Sequence, residues 1–298
     1  MADALAEALR RSLPALELKR DEPLKNHTSF CIGGPAKYLM LPASAEELAE
    51  ACALLRKLGV KPLVLGNGTN VLAPDEGIDG AVIVTRRASG MERQGETLRA
   101  GCGAGLTKLA AFAAEEGLAG LEFAYGIPGS LGGALLMNAG AYGGEMKDVT
   151  AWVDYLDEEL KPRRAEGEAL GFGYRHSRFG SMDVILGAEL RLRGGDREAI
   201  LARCRELTEK RKASQPLDKP SAGSAFKRPQ GGYAAALIDQ AGLKGYAVGG
   251  AQVSEKHAGF VVNRGGATAS DVKKLLEDVQ RVVYDRTGVL LEPEIKIL

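Results

Sequence analysis

The sequence has few residues that bind metal ions and no stretch that could cross a membrane. Its three His are accompanied by four cysteines, Cys31, Cys52, Cys102 and Cys204, which are scattered without C-x-x-C spacing. This pattern is typical of reduced, mostly buried thiols rather than of a zinc site or a disulfide framework. No segment approaches the roughly 20 apolar residues that span a bilayer. We therefore expect a cytoplasmic protein that uses neither a metal ion nor a membrane.

An excess of either charge is also absent. Thirty-nine Lys and Arg residues balance thirty-nine Asp and Glu residues, so the formal net charge of the 298-residue chain is zero. Non-specific binding to nucleic acids requires a basic excess, and we expect no nucleic-acid partner. The strings GxxxxGK[ST], HExxH and GxSxG do not occur. P-loop enzymes, zinc proteases and serine hydrolases of the G-x-S-x-G type are therefore not supported.

Glycine is abundant, with 39 residues, many of them between positions 66 and 144. The loop GNGTN, residues 66–70, follows a predicted strand, and the successive backbone N–H groups of such a loop can bind a pyrophosphate. It is not a Rossmann fingerprint, because Val71 replaces the third glycine and no helix is predicted to begin there. Considered alone, a tight turn explains this loop equally well.

A second glycine-rich segment, residues 126–144, changes that balance. It combines seven glycines with the polar side chains of Ser130, Asn138 and Tyr142. Bare backbone and such side chains provide donors and acceptors for a flat heterocycle and its diphosphate. Two loops of this kind are hard to explain as turns alone, so the sequence favours a nucleotide-like ligand.

Periodicity predicts an alternation of helices and strands in two parts. The predicted helices cover residues 44–58, 106–116, 197–212, 233–240 and 271–286. The predicted strands cover residues 62–65, 81–85, 149–156, 184–192, 259–263 and the alternating segment 289–298. A proline-containing linker, ASQPLDKPSAGS, places a boundary near residue 210, with a smaller α/β unit beyond it.

Cations cluster near this linker. Between Arg203 and Arg228 there are eight Lys and Arg residues against three Asp and Glu residues, which favours a phosphate-bearing ligand near the junction. A solvated helix face is the alternative for the helix itself. Earlier in the chain, Arg175 in GFGYRHSRF has a guanidinium that can bind a carboxylate through two parallel hydrogen bonds. The lone His176 and His257 are more typical of structural residues.

Seven motifs occur in an order that resembles one enzyme family: NHTSFCIGGPA, GNGTNVL, GIPGSLGGALLMNAGAYGGE, YRHSRF, SAGSAFKRP, GLKGYAVGGAQVSEKHAGFVVN and LEPEI. From Asn26 to its C-terminus the chain is similar to the UDP-N-acetylenolpyruvoylglucosamine reductases, also called UDP-N-acetylmuramate dehydrogenases. The short interval between Arg175 and the linker resembles the branch of the family without an inserted capping loop.

The resemblance implies an α+β fold, the vanillyl-alcohol-oxidase or PCMH-type FAD-binding fold, with two α+β subdomains and a C-terminal α/β substrate-binding domain. We expect these at residues 1–80, 81–210 and 211–298, with the terminal strand 289–298 as an optional addition to the first subdomain. The implied protein is a cytoplasmic monomer.

The implied activity is the reduction of an enolpyruvyl ether. NADPH reduces non-covalently bound FAD, which then reduces UDP-N-acetylglucosamine enolpyruvate to UDP-N-acetylmuramate. This product is a precursor of peptidoglycan, so the resemblance links the chain to cell wall biogenesis, cell shape and cell division.

The family's motifs also imply individual site residues. Arg175 matches the arginine that binds the substrate carboxylate, Ser224 the proton donor and Glu294 the catalytic glutamate. Tyr142, Lys227 and Arg228, together with Arg175, are expected to bind the substrate. The residues expected to bind FAD are Gly66, Asn67, Gly68, Thr69, Asn70, Gly126, Pro128, Gly129, Ser130, Gly132, Gly133, Asn138, Ala139, Gly140 and Ala141.

Two positions depart from the family's pattern. Arg228 stands where one branch has an asparagine that contacts the substrate diphosphate, and a cation is compatible with that role. Cys31 stands where an arginine is expected. Two other functions remain open: a related FAD-dependent hydroxy-acid or alcohol oxidase or dehydrogenase, with Cys102 as a candidate covalent tether, and a flavin or nucleotide-sugar sensor. The co-occurrence of Arg175, Ser224 and Glu294 disfavours the sensor.

Overall fold

The computed structural model describes residues 2–180 and 183–298 of the chain. The chain forms two compact units. The first contains Met1–Arg20, Tyr38–Asn67 and Gly80–Lys210, and the second contains Asp21–Lys37, Gly68–Asp79 and Arg211–Leu298. Two segments that we assign to the first flavin-binding subdomain, residues 21–37 and 68–79, thus belong to the C-terminal unit. The division of the chain into three domains stays a prediction.

Seven α-helices occur in the described residues. They are α1 (Ala2–Ser12), α2 (Ala45–Lys57), α3 (Leu106–Glu115), α4 (Leu131–Leu136), α5 (Arg197–Ser214), α6 (Ala234–Gln240) and α7 (Ala269–Thr287). The five helices that periodicity predicts are all present. Helix α1 and the short helix α4, inside the second glycine-rich segment, are not predicted.

The same residues form nineteen strands, many of them only two or three residues long. They are β1 (Glu17–Pro23), β2 (Pro35–Leu41), β3 (Leu63–Leu65), β4 (Val71–Leu72), β5 (Ile78–Val84), β6 (Met91–Gln94), β7 (Thr97–Gly101), β8 (Leu118–Ala119), β9 (Gly140–Ala141), β10 (Gly144–Glu145), β11 (Thr150–Leu156), β12 (Pro162–Glu166), β13 (Val184–Arg191), β14 (Arg193–Gly194), β15 (Ser221–Ser224), β16 (Ala247–Val248), β17 (Ala251–Val253), β18 (Phe260–Asn263) and β19 (Lys296–Ile297).

Three sheets organise these strands. Two have four strands, in the orders β1-β2-β5-β3 and β15-β18-β17-β16, and the third has five, in the order β12-β11-β13-β7-β6. Every pair in the five-stranded sheet is antiparallel. Pairs β10-β9 and β14-β8 are antiparallel, whereas β19 runs parallel to β4. No helix follows the GNGTN loop, as predicted, because the chain enters β4 directly.

The core of the first unit lies on the inner face of the five-stranded sheet. Alternate residues of its strands, such as Val153, Leu190 and Leu98, are fully buried, in keeping with the period of two in a strand. Helix α2 packs there through Cys52 and Leu55. Its N-terminus is capped by the predicted Ser44, whose hydroxyl accepts a hydrogen bond from the third helical N–H at 3.2 Å.

The core of the second unit lies between the sheet β15-β18-β17-β16 and the helices α6 and α7. Helix α7 presents Val272, Leu275 and Val279 to this core, as its spacing predicts. A capping box of Thr268 and Asp271 begins the helix, and Gly288, with φ of 70°, ends it in the left-handed conformation.

The terminal segment, residues 289–298, is not the continuous strand that its alternation predicts. Residues 292–294 bond to residues 225–227, and residues 296–298 bond to residues 70–72. Because the segment changes partners halfway, each pairing is too short to form a long ladder, and only β19 meets the definition of a strand. Helices that are both long and apolar enough to span a membrane are absent from residues 2–180 and 183–298.

Asp75 stabilises the start of α7 from outside the helix. Its carboxylate accepts hydrogen bonds from Ala269 N at 2.7 Å, Ser270 N at 3.1 Å and Ser270 Oγ at 3.2 Å. Asp75→Ala leaves two N–H groups of the first turn without this partner. We expect it to lower the free energy of unfolding by about 1–2 kcal/mol, measured by urea denaturation at pH 7.

Asp79→Ala is the matched control for this prediction. The Asp79 side chain is 84% exposed and forms an ion pair with Lys37. Such surface pairs contribute less than about 1 kcal/mol, so the control is expected to change stability by only a few tenths. Equal losses from both variants would contradict the capping role of Asp75.

Candidate active site

In the second unit, Glu294 lies against the end of the first glycine-rich loop. Its backbone N–H donates to Ala225 O at 2.8 Å, and its carbonyl oxygen accepts from Asn70 Nδ2 at 3.2 Å. Asn70 O accepts in turn from Lys296 N at 2.9 Å. The structure thus brings together two expected site residues, Glu294 and Asn70, that are more than 200 residues apart in sequence.

Ser224 lies beside the same place, at the end of β15. Ser221 pairs with Val262 and Ser224 pairs with Phe260, and the register shifts between them. Gly223, with φ of 76°, adopts the left-handed conformation that such a bulge favours. The carbonyl oxygen of the next residue, Ala225, accepts the hydrogen bond from Glu294 N. The half-buried Ser224 is therefore adjacent in sequence to the residue that contacts Glu294.

Ser29 connects the loop to β15, and the sequence analysis assigns it no role. Its Oγ donates to Ser221 O at 2.6 Å, and its backbone N–H donates to Gly68 O at 3.0 Å. Ser29 lies in NHTSFCIGGPA, one of the motifs on which the family resemblance is based. A single hydroxyl whose partner is 192 residues away leaves no local signal by which this contact could be found.

The loop has the free donors that a pyrophosphate needs. Among residues 2–180 and 183–298, none accepts a hydrogen bond from the backbone N–H groups of residues 67–70. Gly68 has φ of 63°, and a Cβ there would lie 2.1 Å from His27 O. Packing against the protein thus fixes the backbone, while its N–H groups remain available. These residues fit the diphosphate of FAD.

In the first unit, the start of the loop contacts the second glycine-rich segment. Asn67 Nδ2 donates to Pro128 O at 3.2 Å. A Cβ on Gly66 would lie 2.0 Å from Ser130 Oγ, so a side chain at position 66 would displace the hydroxyl that caps α4. The buried Ser130 accepts from Gly133 N at 3.4 Å and caps α4. The structure therefore brings Gly66, Asn67, Pro128 and Ser130 together.

Asn138 is buried, and its amide is hydrogen-bonded within the protein. Nδ2 donates to Glu145 Oε2 at 2.9 Å and to Gly173 O at 3.0 Å, and Oδ1 accepts from Lys147 N at 2.9 Å. The side chain thus joins the glycine-rich segment to the turn that precedes Arg175. We assign any contact between Asn138 and FAD to its backbone rather than to its amide.

Arg175 occupies a strained position in a tight hairpin of the first unit. Gly173 and His176 exchange two backbone hydrogen bonds, of 2.9 Å and 3.2 Å, around Tyr174 and Arg175. Arg175 has φ of 53°, a conformation that is uncommon for a non-glycine residue and concentrates at functional sites. Its guanidinium carbon lies 5.2 Å from the centroid of the Tyr174 ring.

The three remaining expected substrate ligands lie on accessible parts of the two units. In the second unit, Lys227 forms an ion pair with Glu292, and the Arg228 guanidinium lies 4.2 Å from the centroid of the Tyr233 ring. In the first unit, Tyr142 is exposed and borders a cavity of about 950 Å³. Like Arg175, Tyr142 has a positive φ, of 53°.

Cys102 is poorly suited to tether a flavin. The side chain is 1% exposed, and burial raises the pKa of its thiol to about 12. A thiol with such a pKa stays protonated near neutral pH, whereas the thiolate is the nucleophile. Groups of three or more His, Cys, Asp or Glu that could hold a metal ion are not found in the part of the chain that the structure describes.

Two protein-family models match different parts of the chain. Residues 215–298 match the family described as UDP-N-acetylenolpyruvoylglucosamine reductase, C-terminal domain, and residues 36–159 match the FAD binding domain family. A UDP-N-acetylenolpyruvoylglucosamine reductase of Caldanaerobacter subterraneus subsp. tengcongensis is 47% identical over 100% of this chain and 99% of its own. Another, from Caldicellulosiruptor bescii, is 46% identical over 95% of this chain and 91% of its own.

Solved structures give the same answer. The crystal structure of UDP-N-acetylenolpyruvylglucosamine reductase from Thermus caldophilus is 37% identical, with a TM-score of 0.81 over 95% of this chain and 98% of that one. The glucose dehydrogenase Phl p 4.0202 has a TM-score of 0.50 and 16% identity over 65% of this chain and 44% of that one, a likeness of fold alone. The predicted FAD-binding α+β fold is confirmed.

The four cysteines are expected to differ sharply in reactivity. Cys31 is exposed, whereas burial raises the pKa of Cys52 and Cys102 to about 12 and that of Cys204 to about 11. Ellman's reagent should therefore titrate one thiol in the native protein at pH 8 and four after denaturation in guanidinium chloride.

Cys31→Ser is the control for the thiol titration. It should abolish the fast native reaction and leave three thiols in the denatured protein. A second thiol that reacts rapidly in the folded Cys31→Ser variant would contradict the burial of the other three cysteines.

Proposed function

Because the chain belongs to the UDP-N-acetylenolpyruvoylglucosamine reductase family, we propose that Arg175, Ser224 and Glu294 catalyse its reaction. The protein reduces UDP-N-acetylglucosamine enolpyruvate to UDP-N-acetylmuramate, with FAD as cofactor and NADPH as reductant. The observation that supports these roles best is the hydrogen bond of 2.8 Å between Glu294 N and Ala225 O, next to Ser224.

The reaction adds one hydride and one proton across a carbon–carbon double bond. When bound and reduced by NADPH, FAD would supply the hydride, which adds to the methylene carbon. Negative charge then develops on the neighbouring carbon and spreads into its carboxylate. The Arg175 guanidinium binds that carboxylate through parallel hydrogen bonds and stabilises the charge as it forms.

Ser224 and Glu294 complete the proton side of the reaction. The Ser224 hydroxyl donates its proton to the carbon that bears the carboxylate. A serine hydroxyl is a weak acid, and we propose that the cation of Lys227, three residues along the chain, makes the proton easier to give up. Glu294 orients or polarises the carboxylate or a water molecule next to it.

The cofactor is bound mainly by backbone. The N–H groups of residues 67–70 bind its diphosphate, and residues 126–133 and 138–141 provide further backbone contacts. Because these donors belong to the chain itself, an anionic cofactor binds without a concentrated basic patch. FAD is bound without a covalent link, in keeping with the burial of Cys102.

The substrate's diphosphate is bound by Lys227 and Arg228, with Tyr142 as a further contact. Arg228 is always charged and has a planar fork of donors that suits phosphate oxygens, so it can take over the role of an asparagine at this position. The related hydroxy-acid or alcohol oxidase is not favoured, because the relatives that cover the whole chain are reductases.

The protein acts as a monomer in the cytoplasm, without a nucleic-acid or membrane partner. Its balanced charge supports this part of the proposal. Light scattering on the eluate of a size-exclusion column should give a mass near 31.5 kDa. A mass of twice that value at micromolar concentration would contradict the monomer.

Removing the Ser224 hydroxyl should affect one half-reaction only. Ser224→Ala removes the proton donor, whereas hydride transfer from NADPH to the flavin needs no proton from it. In anaerobic stopped-flow measurements we expect unchanged bleaching of the flavin by NADPH. Reoxidation by the enolpyruvyl substrate should be slower by about 10²- to 10⁴-fold. Ser270→Ala, outside the site, controls for the loss of a serine hydroxyl, and equal slowing of both half-reactions in Ser224→Ala would contradict the assignment.

Glu294→Gln keeps the size of the side chain and removes its negative charge. We expect the same selective slowing of reoxidation, by about 10²-fold, because the charge that orients the substrate's carboxylate or water is lost. The measurement is the same anaerobic stopped-flow pair. Unchanged turnover by Glu294→Gln would remove Glu294 from the mechanism.

A further inference from the structure

Glu294 lies in a terminal segment whose backbone hydrogen bonds go to two different parts of the chain. The preceding residue is Pro293, which has no N–H, and its pairing with Phe226 is an isolated bridge rather than part of a sheet. The main chain of Glu294 is held in part by the partners of its own N–H and C=O. The N–H donates to Ala225 O at 2.8 Å, and the C=O accepts from Asn70 Nδ2 at 3.2 Å.

Asn70 contacts this segment on both sides of Ile295. Besides the bond from its side chain to Glu294 O, its own carbonyl accepts from Lys296 N at 2.9 Å. A carbonyl oxygen only accepts hydrogen bonds, so the group that faces Glu294 O has to be a donor, and the amide nitrogen of asparagine provides it. An aspartate of the same shape would place an oxygen against an oxygen.

The loop that carries Asn70 is itself connected to the strand of Ser224. Ser29 donates its backbone N–H to Gly68 O at 3.0 Å and its hydroxyl to Ser221 O at 2.6 Å. The two residues that act on the proton side of the reaction, Ser224 and Glu294, are thus both linked to residues 68–70. All of these contacts lie within the second unit.

We infer that Asn70 is a positioning residue for Glu294. Its side-chain amide fixes the main chain of Glu294, and hence its carboxylate, for the reoxidation half-reaction. Its backbone N–H, by contrast, belongs to the cofactor-binding loop. The side chain of Asn70 thus serves the reoxidation half-reaction, and its backbone N–H serves the binding of the cofactor. The inference rests on the proposed role of Glu294.

The test is Asn70→Asp, which keeps the shape of the side chain and replaces the donor with a negatively charged acceptor. Anaerobic stopped-flow experiments should show reoxidation by UDP-N-acetylglucosamine enolpyruvate slowed by about tenfold to a hundredfold, because a displacement of about 1 Å has effects of this size. Because Asn70 also belongs to the cofactor-binding loop, bleaching of the flavin by NADPH is measured at saturating FAD, where it should be slowed clearly less than reoxidation.

A second readout needs no bound flavin. In the flavin-free protein, Asn70→Asp should speed amide hydrogen exchange at Glu294 and Lys296, because the segment has lost one of its attachments. The affinity for FAD, measured by quenching of flavin fluorescence, reports separately on the loop's backbone. Unchanged exchange at Glu294 and Lys296 would overturn the inference.

Two control variants separate positioning from general damage. Gln280 Nε2 donates to Leu291 O at 2.8 Å, so Gln280→Glu removes an equivalent amide donor from the same terminal segment, three residues before Glu294. It should leave the ratio of the two half-reaction rates unchanged. Asn67→Asp removes the bond from the same loop to Pro128 O. A perturbed loop should change both half-reactions together.

The outcomes also separate this inference from the assignment beneath it. If Glu294→Gln slows reoxidation and Asn70→Asp does not, the inference is wrong and the role of Glu294 stands. If neither variant slows reoxidation, the assignment of Glu294 fails first. Equal slowing of both half-reactions by Asn70→Asp would show that Asn70 acts on the cofactor loop alone.

Discussion

The terminal segment depends on main-chain hydrogen bonds to two different neighbours. Residues 292–294 bond to residues 225–227, and residues 296–298 bond to residues 70–72. Burial of Leu291 and Ile295 anchors the segment, at about 1.5–3 kcal/mol for each side chain. These bonds help to fix Glu294 relative to Ser224, from which it is separated by about seventy residues of chain.

Two glycines of the loop GNGTN, residues 66–70, pack closely against other parts of the chain. Gly68 is required by packing, because a Cβ there would lie 2.1 Å from His27 O, whereas a Cβ on Gly66 would displace the Ser130 hydroxyl. The backbone N–H groups of residues 67–70 donate to no acceptor among the described residues. The closely packed loop therefore leaves these donors available to a ligand. Packing thus gives these glycines a structural reason, and the role of the loop in binding FAD stays a prediction.

Much of the fold is predictable because local signals agree. Helices α2 and α7 have apolar residues at helical spacing and side-chain caps, and both begin within two residues of the prediction. Helix α1 is missed because alternating charge hides its buried Ala6 and Leu9. The terminal strand is wrong for a different reason. The alternation of apolar and polar residues indicates which face of a strand is buried. It does not indicate that the terminal segment changes its hydrogen-bonding partner halfway along.

The site is less accessible to local analysis than the fold. Arg175, Ser224 and Glu294 come from a resemblance of motifs, since an arginine in a glycine-rich turn or a glutamate in a strand is common in any protein. The contacts of Ser29 and Asn70 span 192 and 224 residues, so only tertiary structure reveals them. Nothing in the structure explains Cys31, which is exposed with φ of 54° at a position where the family suggests arginine.

The central claim is that one flavin passes reducing equivalents from NADPH to the enolpyruvyl sugar. The most direct test is an anaerobic absorption spectrum of the purified wild-type protein, recorded before NADPH, after NADPH, and after UDP-N-acetylglucosamine enolpyruvate. The account predicts a flavin band that bleaches with NADPH and returns with the enolpyruvyl sugar. A band that bleaches but returns only when oxygen is admitted would contradict it.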